Sequence, residues 1–278
     1  MTDTVLVTGS STGIGLATAV AAAQAGWQVV ATMRDTSKSS ALLKAAADAG
    51  VGDLIDVRPL DVTDADAAAA CVADVASAYG RLDAVINNAG AGNVGTLEQK
   101  PIDEIRQAFE VNFFGVLNVS KPALPHLRAS AGRLITVTSV GGVVGQPFNE
   151  AYCGAKFAVE GFMESLAPVV AAHGVRVTVV EPGAVASEFV TNIGFDPAQI
   201  ETAGPYTPQL RAYLQRVTDA FTTAQTSEEA AASIVAVLTA DQPAFRVQTS
   251  DAARGFVGAK LTDLDGSAVQ SVTGSWIA

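Results

Sequence analysis

The sequence predicts a single-domain α/β protein, with a doubly wound parallel sheet of Rossmann type and helices on both faces. Three observations support this prediction. Short apolar runs alternate with helical stretches of about 10–15 residues, a glycine-rich turn follows the first run, and no repeat or flexible linker divides the 278 residues. Because parallel strands require a crossover connection, the alternation favours right-handed βαβ units in one domain, 1–278.

The first strand, Val5–Thr8, is an apolar run that ends at a glycine. The alanine-rich helix Ile14–Ala25 follows, and Gly26 ends it. The same order of strand and helix then recurs. The further elements of this half are the strands Trp27–Met33, Leu54–Leu60 and Leu82–Ile86 and the helices Ser40–Ala49 and Asp64–Tyr79.

The second half of the chain continues the alternation and then departs from it. Its predicted elements are the helix Ile102–Ala129, the strand Leu134–Ser139, the helix Tyr152–Ala172, the strand Val175–Val180, a capped helix from Ser227 through Ala230–Leu238 and a short strand Phe245–Val247. Between about residues 184 and 224, glycines and prolines interrupt apolar residues before a helix Gln209–Phe221, which predicts a substrate loop or lid.

Composition and charge exclude several classes of function. The net charge of −11 opposes nonspecific binding to nucleic acid or anionic lipid. We expect no membrane span, because polar residues interrupt every apolar stretch before about 18 residues, and no signal peptide. Two cysteines cannot build a disulfide framework, and His126 and His173 have no neighbouring ligands for a metal. We therefore expect a reduced, cytoplasmic protein without a metal.

The segment from Thr8 to Gly15, Thr-Gly-Ser-Ser-Thr-Gly-Ile-Gly, joins the first strand to the first helix. Gly9, Gly13 and Gly15 permit a tight turn, close approach of the backbone to a pyrophosphate and close packing of helix on strand. The helix N-terminus offers free N–H groups to phosphates, which an otherwise acidic protein needs for an anionic ligand. Taken alone, the motif is weak evidence, because a turn that merely tolerates glycine is the alternative explanation.

The spacing Gly-x3-Gly-x-Gly resembles the short-chain dehydrogenase/reductase family, and further motifs in the same order agree with it. These are Asn87-Asn-Ala-Gly90, Asn112, Ser139, Tyr152-Cys-Gly-Ala-Lys156 and Pro182-Gly183. The resemblance covers roughly residues 1–238. The segment Thr32–Asp35 and the long loop after Gly183 are most similar to the branch that contains hydroxysteroid and retinol dehydrogenases.

Tyr152 and Lys156 are four residues apart on a predicted helix, so their side chains share one face. A nearby ammonium would lower the pKa of the phenol, which is about 10 when unperturbed. Ser139 ends a strand at the edge where ligands bind, and Asn112 is a misfit in an apolar helix. Taken one at a time, three of them have ordinary structural explanations. Tyr152 could be a half-buried tyrosine, Lys156 a surface lysine and Ser139 a serine that caps a turn.

The resemblance assigns a catalytic role to each of these residues. Ser139 orients the substrate oxygen, Tyr152 transfers the proton, and Lys156 tunes Tyr152 and binds the nicotinamide ribose. Asn112 holds a water that relays protons to Lys156. Serine replaces the usual threonine at Ser187. The residues that the resemblance places around the cofactor are Gly9, Ser11, Thr12, Gly13, Ile14, Gly15, Arg34, Asp61, Val62, Asn88, Ala89, Gly90, Tyr152, Lys156, Pro182, Gly183, Val185 and Ser187.

The end of the second strand predicts the choice of cofactor. An acidic residue at its last position would bind the ribose 2′-hydroxyl of NAD, but Met33 stands there. Arg34 follows, and a guanidinium suits a 2′-phosphate. We therefore expect NADP(H) in preference to NAD(H). Asp35 favours NAD weakly, and Arg34 could also be a solvated loop arginine.

Together these features predict an NADP(H)-dependent reductase that interconverts a ketone or aldehyde with an alcohol. The alternative is a non-catalytic NADP-binding sensor or scaffold on the same fold, which would have no use for a tuned phenol. The lid favours a bulky apolar substrate, and apolar helices around Phe113 and Phe157 favour a homodimer or homotetramer. The expected apolar residues of the substrate site are Val143, Val144, Phe148, Phe189, Val190, Ile193, Phe195, Tyr206, Leu210, Tyr213 and Leu214.

Overall fold

The computed structural model describes residues 2–187, 200 and 203–278. Its strands are β1 Thr4–Thr8, β2 Gln28–Met33, β3 Ile55–Pro59, β4 Ala84–Asn87, β5 Arg133–Val137, β6 Arg176–Glu181, β7 Val185–Ala186, β8 Gln225–Thr226 and β9 Arg246–Gln248. Seven of them form one parallel sheet in the order β3-β2-β1-β4-β5-β6-β9, and β7 pairs with β8. The predicted single-domain Rossmann fold is confirmed.

The helices lie on both faces of this sheet. They are α1 Gly13–Gln24, α2 Ser40–Asp48, α3 Ala65–Tyr79, α4 Ile102–Phe109, α5 Gly115–Ser130, α6 Glu150–Ala171, α7 Thr207–Phe221, α8 Ser227–Thr239, α9 Asp251–Thr262 and α10 Ser267–Gly274. Alternate residues of β1 divide the core: Val5 and Val7 pack in the layer with α1 and α8, whereas Leu6 packs in the layer with α3, α5 and α6. Both faces are buried, as the near-continuous apolar strands require.

Two predicted boundaries differ from the structure around the site. The expected helix Ile102–Ala129 is two α-helices separated by a π-helical turn, Glu110–Phe114, which contains Asn112. The strand predicted to end at Ser139 ends at Val137, so Ser139 begins a separate short turn. In both places the regular backbone geometry is interrupted at a polar residue of the predicted site, Asn112 or Ser139.

The chain after residue 248 completes the region beside Ser139. Helices α9 and α10, which the sequence did not predict, bury Ala253, Val257 and Val269 against Val140, Val143 and Val144. The described part of the predicted lid contains α7, while its residues Phe189, Val190, Ile193 and Phe195 lie outside the described residues.

None of the helices within residues 2–187 and 203–278 is both long enough and apolar enough to cross a bilayer.

Candidate active site

The predicted site residues follow the carboxyl ends of neighbouring strands. The glycine turn follows β1, Asn88 follows β4, Ser139 follows β5 and Pro182 follows β6. Since these strands are adjacent and parallel, the four segments meet at one edge of the sheet. The main-chain amide of Val140 donates to the carbonyl of Pro182 at 2.9 Å, which joins the last two segments directly.

The glycine turn has no room for side chains. A Cβ on Gly9 would lie 2.8 Å from the Cα of Ala89, and one on Gly15 would lie 2.2 Å from the carbonyl oxygen of Gly9. Thr12, the N-cap residue of α1, makes no side-chain hydrogen bond to the helix, whereas Asp64 caps α3 through the amide of Ala67. The first amides of α1, which no N-cap side chain binds, and the close glycine backbone fit a pyrophosphate.

Asn88 fixes the turn to the next strand. Its Nδ2 donates to the carbonyls of Thr8 (2.9 Å) and Gly9 (3.1 Å), and its main-chain amide donates to Thr8 Oγ1 at 3.0 Å. The Asn88 side chain therefore shapes the glycine turn, and the backbone of Ala89 and Gly90 forms the adjoining surface. The sequence motif alone did not show whether Asn88 holds the glycine turn in place or contacts the cofactor.

Ser139 and Tyr152 form a hydrogen-bonded pair that lowers the pKa of the phenol in part. Ser139 Oγ also accepts from the amide of Gly141 at 2.9 Å. A Cβ on Gly141 would lie 3.3 Å from both Ser139 Oγ and Tyr152 Cε1, so this glycine permits their approach. The two residues that are predicted to meet the substrate oxygen thus lie together, although they come from different elements.

Lys156 lies on the same face of α6 as Tyr152, with its Nζ 5.8 Å from the centroid of the phenol ring. It is buried, and Nζ donates to the carbonyl of Val137 at 3.1 Å. Burial lowers the pKa of Lys156 to about 8, and the charge of Glu160 opposes this. At neutral pH the group therefore remains largely an ammonium.

Asn112 joins the π-helical turn to the site. Its Nδ2 donates to the carbonyls of Ala91 and Ala108, both at 2.9 Å, and its Oδ1 accepts from the amide of Ala91 at 3.2 Å. A Cβ on Gly90 would lie 3.0 Å from Asn112 Oδ1 and 3.6 Å from Lys156 Nζ, so both groups border the same glycine. The structure brings Asn112, Ser139, Tyr152 and Lys156 into one cluster.

The expected decrease in the pKa of Tyr152 is not what the structure shows. Burial raises the pKa of the phenol above its usual value, and the hydrogen bond with Ser139 opposes this only partly. The physical reason is that desolvation disfavours phenolate, and the neighbouring Cys153 and Tyr213 act in the same direction. The phenol is therefore held in its protonated form.

The ribose end of the site contains Arg34. Met33, the last residue of β2, is buried, and Arg34 follows it on the surface. Asp35 accepts hydrogen bonds from the amide (3.0 Å) and hydroxyl (2.6 Å) of Ser37 and caps a short turn. Hydrogen bonds from Thr63 lower the pKa of Asp61, and the charge of Arg34 adds to this effect, so Asp61 and Arg34 are neighbours.

The segment after β6 lies beside the glycine turn. A Cβ on Gly13 would lie 3.2 Å from Ser187 Cβ, which puts Ser187 beside the glycine turn. Val185 is buried and pairs with Gln225 across the small β7–β8 sheet. The structure therefore brings Ser187 to the glycine turn and Gly90 to Asn112 and Lys156.

A family model described as short chain dehydrogenase matches residues 3–197. The chain belongs to the short-chain dehydrogenase family. It is 36% identical to retinol dehydrogenase 8 of Bos taurus over 279 residues, which cover 95% of this chain and 86% of that protein. It is 38% identical to estradiol 17-beta-dehydrogenase 1 of Rattus norvegicus over 250 residues, which cover 87% of this chain and 72% of that protein.

A solved short-chain dehydrogenase from Streptomyces avermitilis is similar to this chain with a TM-score of 0.79 and 30% identity, covering 99% of this chain and 98% of that one. The curated relatives belong to the hydroxysteroid and retinol branch, which the sequence predicted. This short-chain dehydrogenase is accordingly an oxidoreductase that acts on alcohol or keto groups.

Two side chains near the dehydrogenase's site have surroundings that the sequence did not predict: Tyr213, which was expected only as an apolar residue of the substrate site, and Glu160. Tyr213 of α7 is buried against Phe148, with ring centroids 5.8 Å apart, and its hydroxyl accepts a hydrogen bond from Asn149. Glu160 is buried one helical turn beyond Lys156. An alternating pattern of polar and apolar residues places a side chain on a face, but it does not show that a carboxyl group on that face is enclosed.

Proposed function

We propose that the protein interconverts a bulky apolar ketone or aldehyde and the corresponding alcohol, with NADP(H) as the hydride carrier and Tyr152 as the general acid and base. The observation that carries this proposal is the contact between Ser139 and Tyr152, with Lys156 and Asn112 grouped behind them. A non-catalytic NADP sensor would need the glycine turn but not this cluster.

In the reductive direction, Tyr152 donates its proton to the substrate oxygen and Ser139 donates a hydrogen bond to the same oxygen. The bound nicotinamide supplies the hydride. Because burial raises the pKa of Tyr152, the phenol carries its proton at neutral pH and is ready to act as an acid. Alcohol oxidation needs the phenolate, so the oxidative rate should rise with pH.

Lys156 stabilises the phenolate that proton donation leaves behind, since its ammonium lies on the same helix face. Asn112 uses both Nδ2 hydrogens on the carbonyls of Ala91 and Ala108. This leaves one acceptor position of Oδ1 and the main chain of the π-helical turn for a water that exchanges protons with Lys156. Ribose hydroxyls would replace the Val137 carbonyl as acceptors of Lys156 Nζ.

NADP(H) is preferred over NAD(H) because of the groups at the end of β2. The position where an acidic residue would select NAD is the buried Met33. The Asp35 carboxylate, which favours NAD in principle, is occupied by Ser37. Arg34 is exposed beside the site and offers paired donors to a 2′-phosphate.

The substrate is apolar because of the walls beyond Ser139. Val143, Val144 and Phe148 are buried on one side, and Leu210 and Tyr213 of α7 are buried in the cluster that includes Phe148. Each CH₂ group that enters such a site contributes about 0.8 kcal/mol. Two polar groups of this wall, the Asn149 amide and the Tyr213 hydroxyl, bind each other.

A series of ketones of increasing size tests the reaction and the substrate class together. Oxidation of NADPH is followed at neutral pH, with NADH as the comparison cofactor. We expect kcat/KM to rise with apolar surface up to a few rings. A preference for small polar or anionic carbonyls would contradict the substrate class, and the absence of turnover with every carbonyl despite NADPH binding would favour the sensor.

We also propose that α5 and α6 form the interface of a homodimer or homotetramer. Large apolar side chains on or beside these helices are exposed: Phe114, Phe157, Phe162 and Val169. Phe113 packs edge-to-face against both Phe114 (5.0 Å) and Phe162 (6.0 Å), which joins these three rings into one aromatic group. A patch of this kind is typical of a protein–protein contact.

A further inference from the structure

Glu160 is a buried carboxyl group that the proposed reaction does not use. It lies on α6 one helical turn beyond Lys156 and is 4% exposed. Its Oε1 accepts a hydrogen bond from Thr138 Oγ1 at 2.5 Å. Thr138 stands directly before Ser139, and the carbonyl of Val137, directly before Thr138, accepts from Lys156 Nζ. Glu160 is thus linked through one strand end to both catalytic segments.

The turn after Ser139 is packed on the same carboxyl group. A Cβ on Gly142 would lie 3.0 Å from Glu160 Cγ and 3.3 Å from the carbonyl oxygen of Lys156. A residue with a side chain at this position would have to displace Glu160 or the helix. The Glu160 side chain therefore fills a space that is bounded by α6, the end of β5 and the Ser139 turn.

The charges that face Glu160 do not fully neutralise it. The groups are Lys156 and Glu164 on α6, Glu181 on β6 and Arg246 on β9. Arg246 lies 2.6 Å from Glu181 and 3.2 Å from Glu164 but 3.4 Å from Glu160, so one guanidinium is shared among three carboxyl groups. Lys156 is the other cation that Glu160 affects.

Thr138 can satisfy Glu160 in either protonation state. Its hydroxyl lies 2.5 Å from Glu160 Oε1 and 3.0 Å from the carbonyl of Val180, but it has one hydrogen to donate. With Glu160 ionised, Thr138 donates to the carboxylate. With Glu160 protonated, the carboxylic acid donates to Thr138, which then donates to Val180.

We infer that Glu160 is a positioning residue of the proposed active site: its carboxylate holds Lys156 in the ammonium form and fixes the strand end that presents Ser139. The role of Lys156 in this inference rests on the proposed function, but the coupling between the Glu160 and Lys156 side chains can be measured without it. Removing the negative charge of Glu160 disfavours the ammonium, so the pKa of Lys156 must fall.

Burial and the charge of Glu181 raise the pKa of Glu160 to about 7, and the Thr138 bond opposes this. The negative charge of the ionised Glu160 raises the pKa of Lys156, against the effect of burial. Acidification through this range protonates Glu160 and reduces its support for the Lys156 ammonium.

The direct test is an NMR titration of Lys156 in protein labelled with ¹³C at the lysine Cε, with the signal assigned by Lys156→Arg. We expect Glu160→Gln, which keeps the shape and the acceptor for Thr138, to lower the titration midpoint of Lys156 by about one pH unit. Glu164→Gln is the matched control: it removes a carboxylate from the same helix and the same Arg246 network, and it should leave the midpoint unchanged. Glu160→Asp keeps a carboxylate, so its Lys156 midpoint should lie between those of Glu160→Gln and the wild type.

Thr138→Val provides a second variant in case Glu160→Gln does not fold. It removes only the hydroxyl that supports the Glu160 carboxylate, so the Lys156 midpoint should again fall. Unchanged midpoints in the folded variants, or equal shifts with Glu164→Gln, would overturn the inference.

The dependence of NADPH affinity on pH links this coupling to function. In the wild type we expect affinity to weaken as Lys156 loses its proton, and in Glu160→Gln the weakening should begin about one pH unit lower. If the wild type bound no NADPH at any pH, the proposed function would fail, while the Lys156 titration would still decide the role of Glu160.

Discussion

Lys156 is the residue on which cofactor binding and proton transfer both depend in the proposed mechanism. Lys156→Ala removes a ribose donor and the charge beside Tyr152. We expect NADPH affinity to fall about 10-fold or more and kcat to fall by roughly 10²–10⁴. Calorimetry and NADPH oxidation measure the two effects. Lys121→Ala, at an exposed position of α5, is the control, and an unchanged NADPH affinity in Lys156→Ala would remove Lys156 from the cofactor site.

Arg34 decides between the two cofactors in this account. Arg34→Ala removes a charged donor from the 2′-phosphate, and we expect NADPH binding to weaken by about 1.5–3 kcal/mol while NADH binding changes little. Isothermal titration with both cofactors measures the difference. Arg106→Ala, at an exposed position of α4, is the control. Equal losses for NADPH and NADH would show that Arg34 does not recognise the phosphate.

Among individual residues, the sequence predicted which side chains lie together in the candidate site but not their electrostatics. The i, i+4 spacing correctly placed Tyr152 and Lys156 on one face of α6. It could not show that Lys156 is buried and Tyr152 partly buried, and this desolvation raises the pKa of Tyr152 and lowers that of Lys156. Glu160 was absent from the prediction for the same reason, because its burial follows from packing against β5, β6 and β9.

Among the elements, the glycine turn before α1 makes the most restrictive demand on the sequence. In Gly15→Ala the new methyl group would meet the Gly9 carbonyl and Asn88 Nδ2, at 2.2 and 2.4 Å. We expect lower stability, by about 1–3 kcal/mol, and loss of NADPH binding. Chemical denaturation and calorimetry measure these effects.

Gly258→Ala is the matched control for that variant. Gly258 is exposed on α9, and a Cβ there would meet nothing within 4 Å. The substitution should stabilise the helix by about 0.5–1 kcal/mol. If Gly15→Ala were as stable and as active as Gly258→Ala, the described geometry of the turn would be wrong.

The elements that the sequence predicted have clear apolar periodicity and turn residues, and those that it missed do not. The strands of the sheet and their crossover helices have strong apolar periodicity and turn residues, and they are present. Helices α9 and α10 contain glycines and β-branched residues, and their stability comes from burying Val257 and Val269 against the Ser139 turn. The π-helical turn at Asn112 likewise follows from the hydrogen bonds of that side chain to Ala91 and Ala108, which no propensity records.

For the whole molecule, the exposed aromatic patch on α5 and α6 predicts self-association. Two copies that cover Phe157 and Phe162 would give a mass of about twice 28.3 kDa by light scattering, and four copies about four times that mass. Phe157→Glu should shift the protein toward the monomer, whereas Leu264→Glu, at a fully exposed apolar residue outside the patch, should not. A wild-type mass near 28.3 kDa at micromolar concentration would contradict the proposal.

The central claim is that the phenol of Tyr152 is the proton donor of a carbonyl reductase. Tyr152→Phe removes one oxygen and preserves the ring, and Tyr79→Phe removes a hydroxyl from a remote tyrosine that donates to Asp56 at 3.0 Å. Turnover of NADPH with the best ketone of the series, measured beside NADPH affinity, tests the claim most directly. We expect kcat to fall by roughly 10²–10⁴ in Tyr152→Phe alone, with NADPH affinity nearly unchanged. Turnover within about threefold of the wild type in Tyr152→Phe would contradict it.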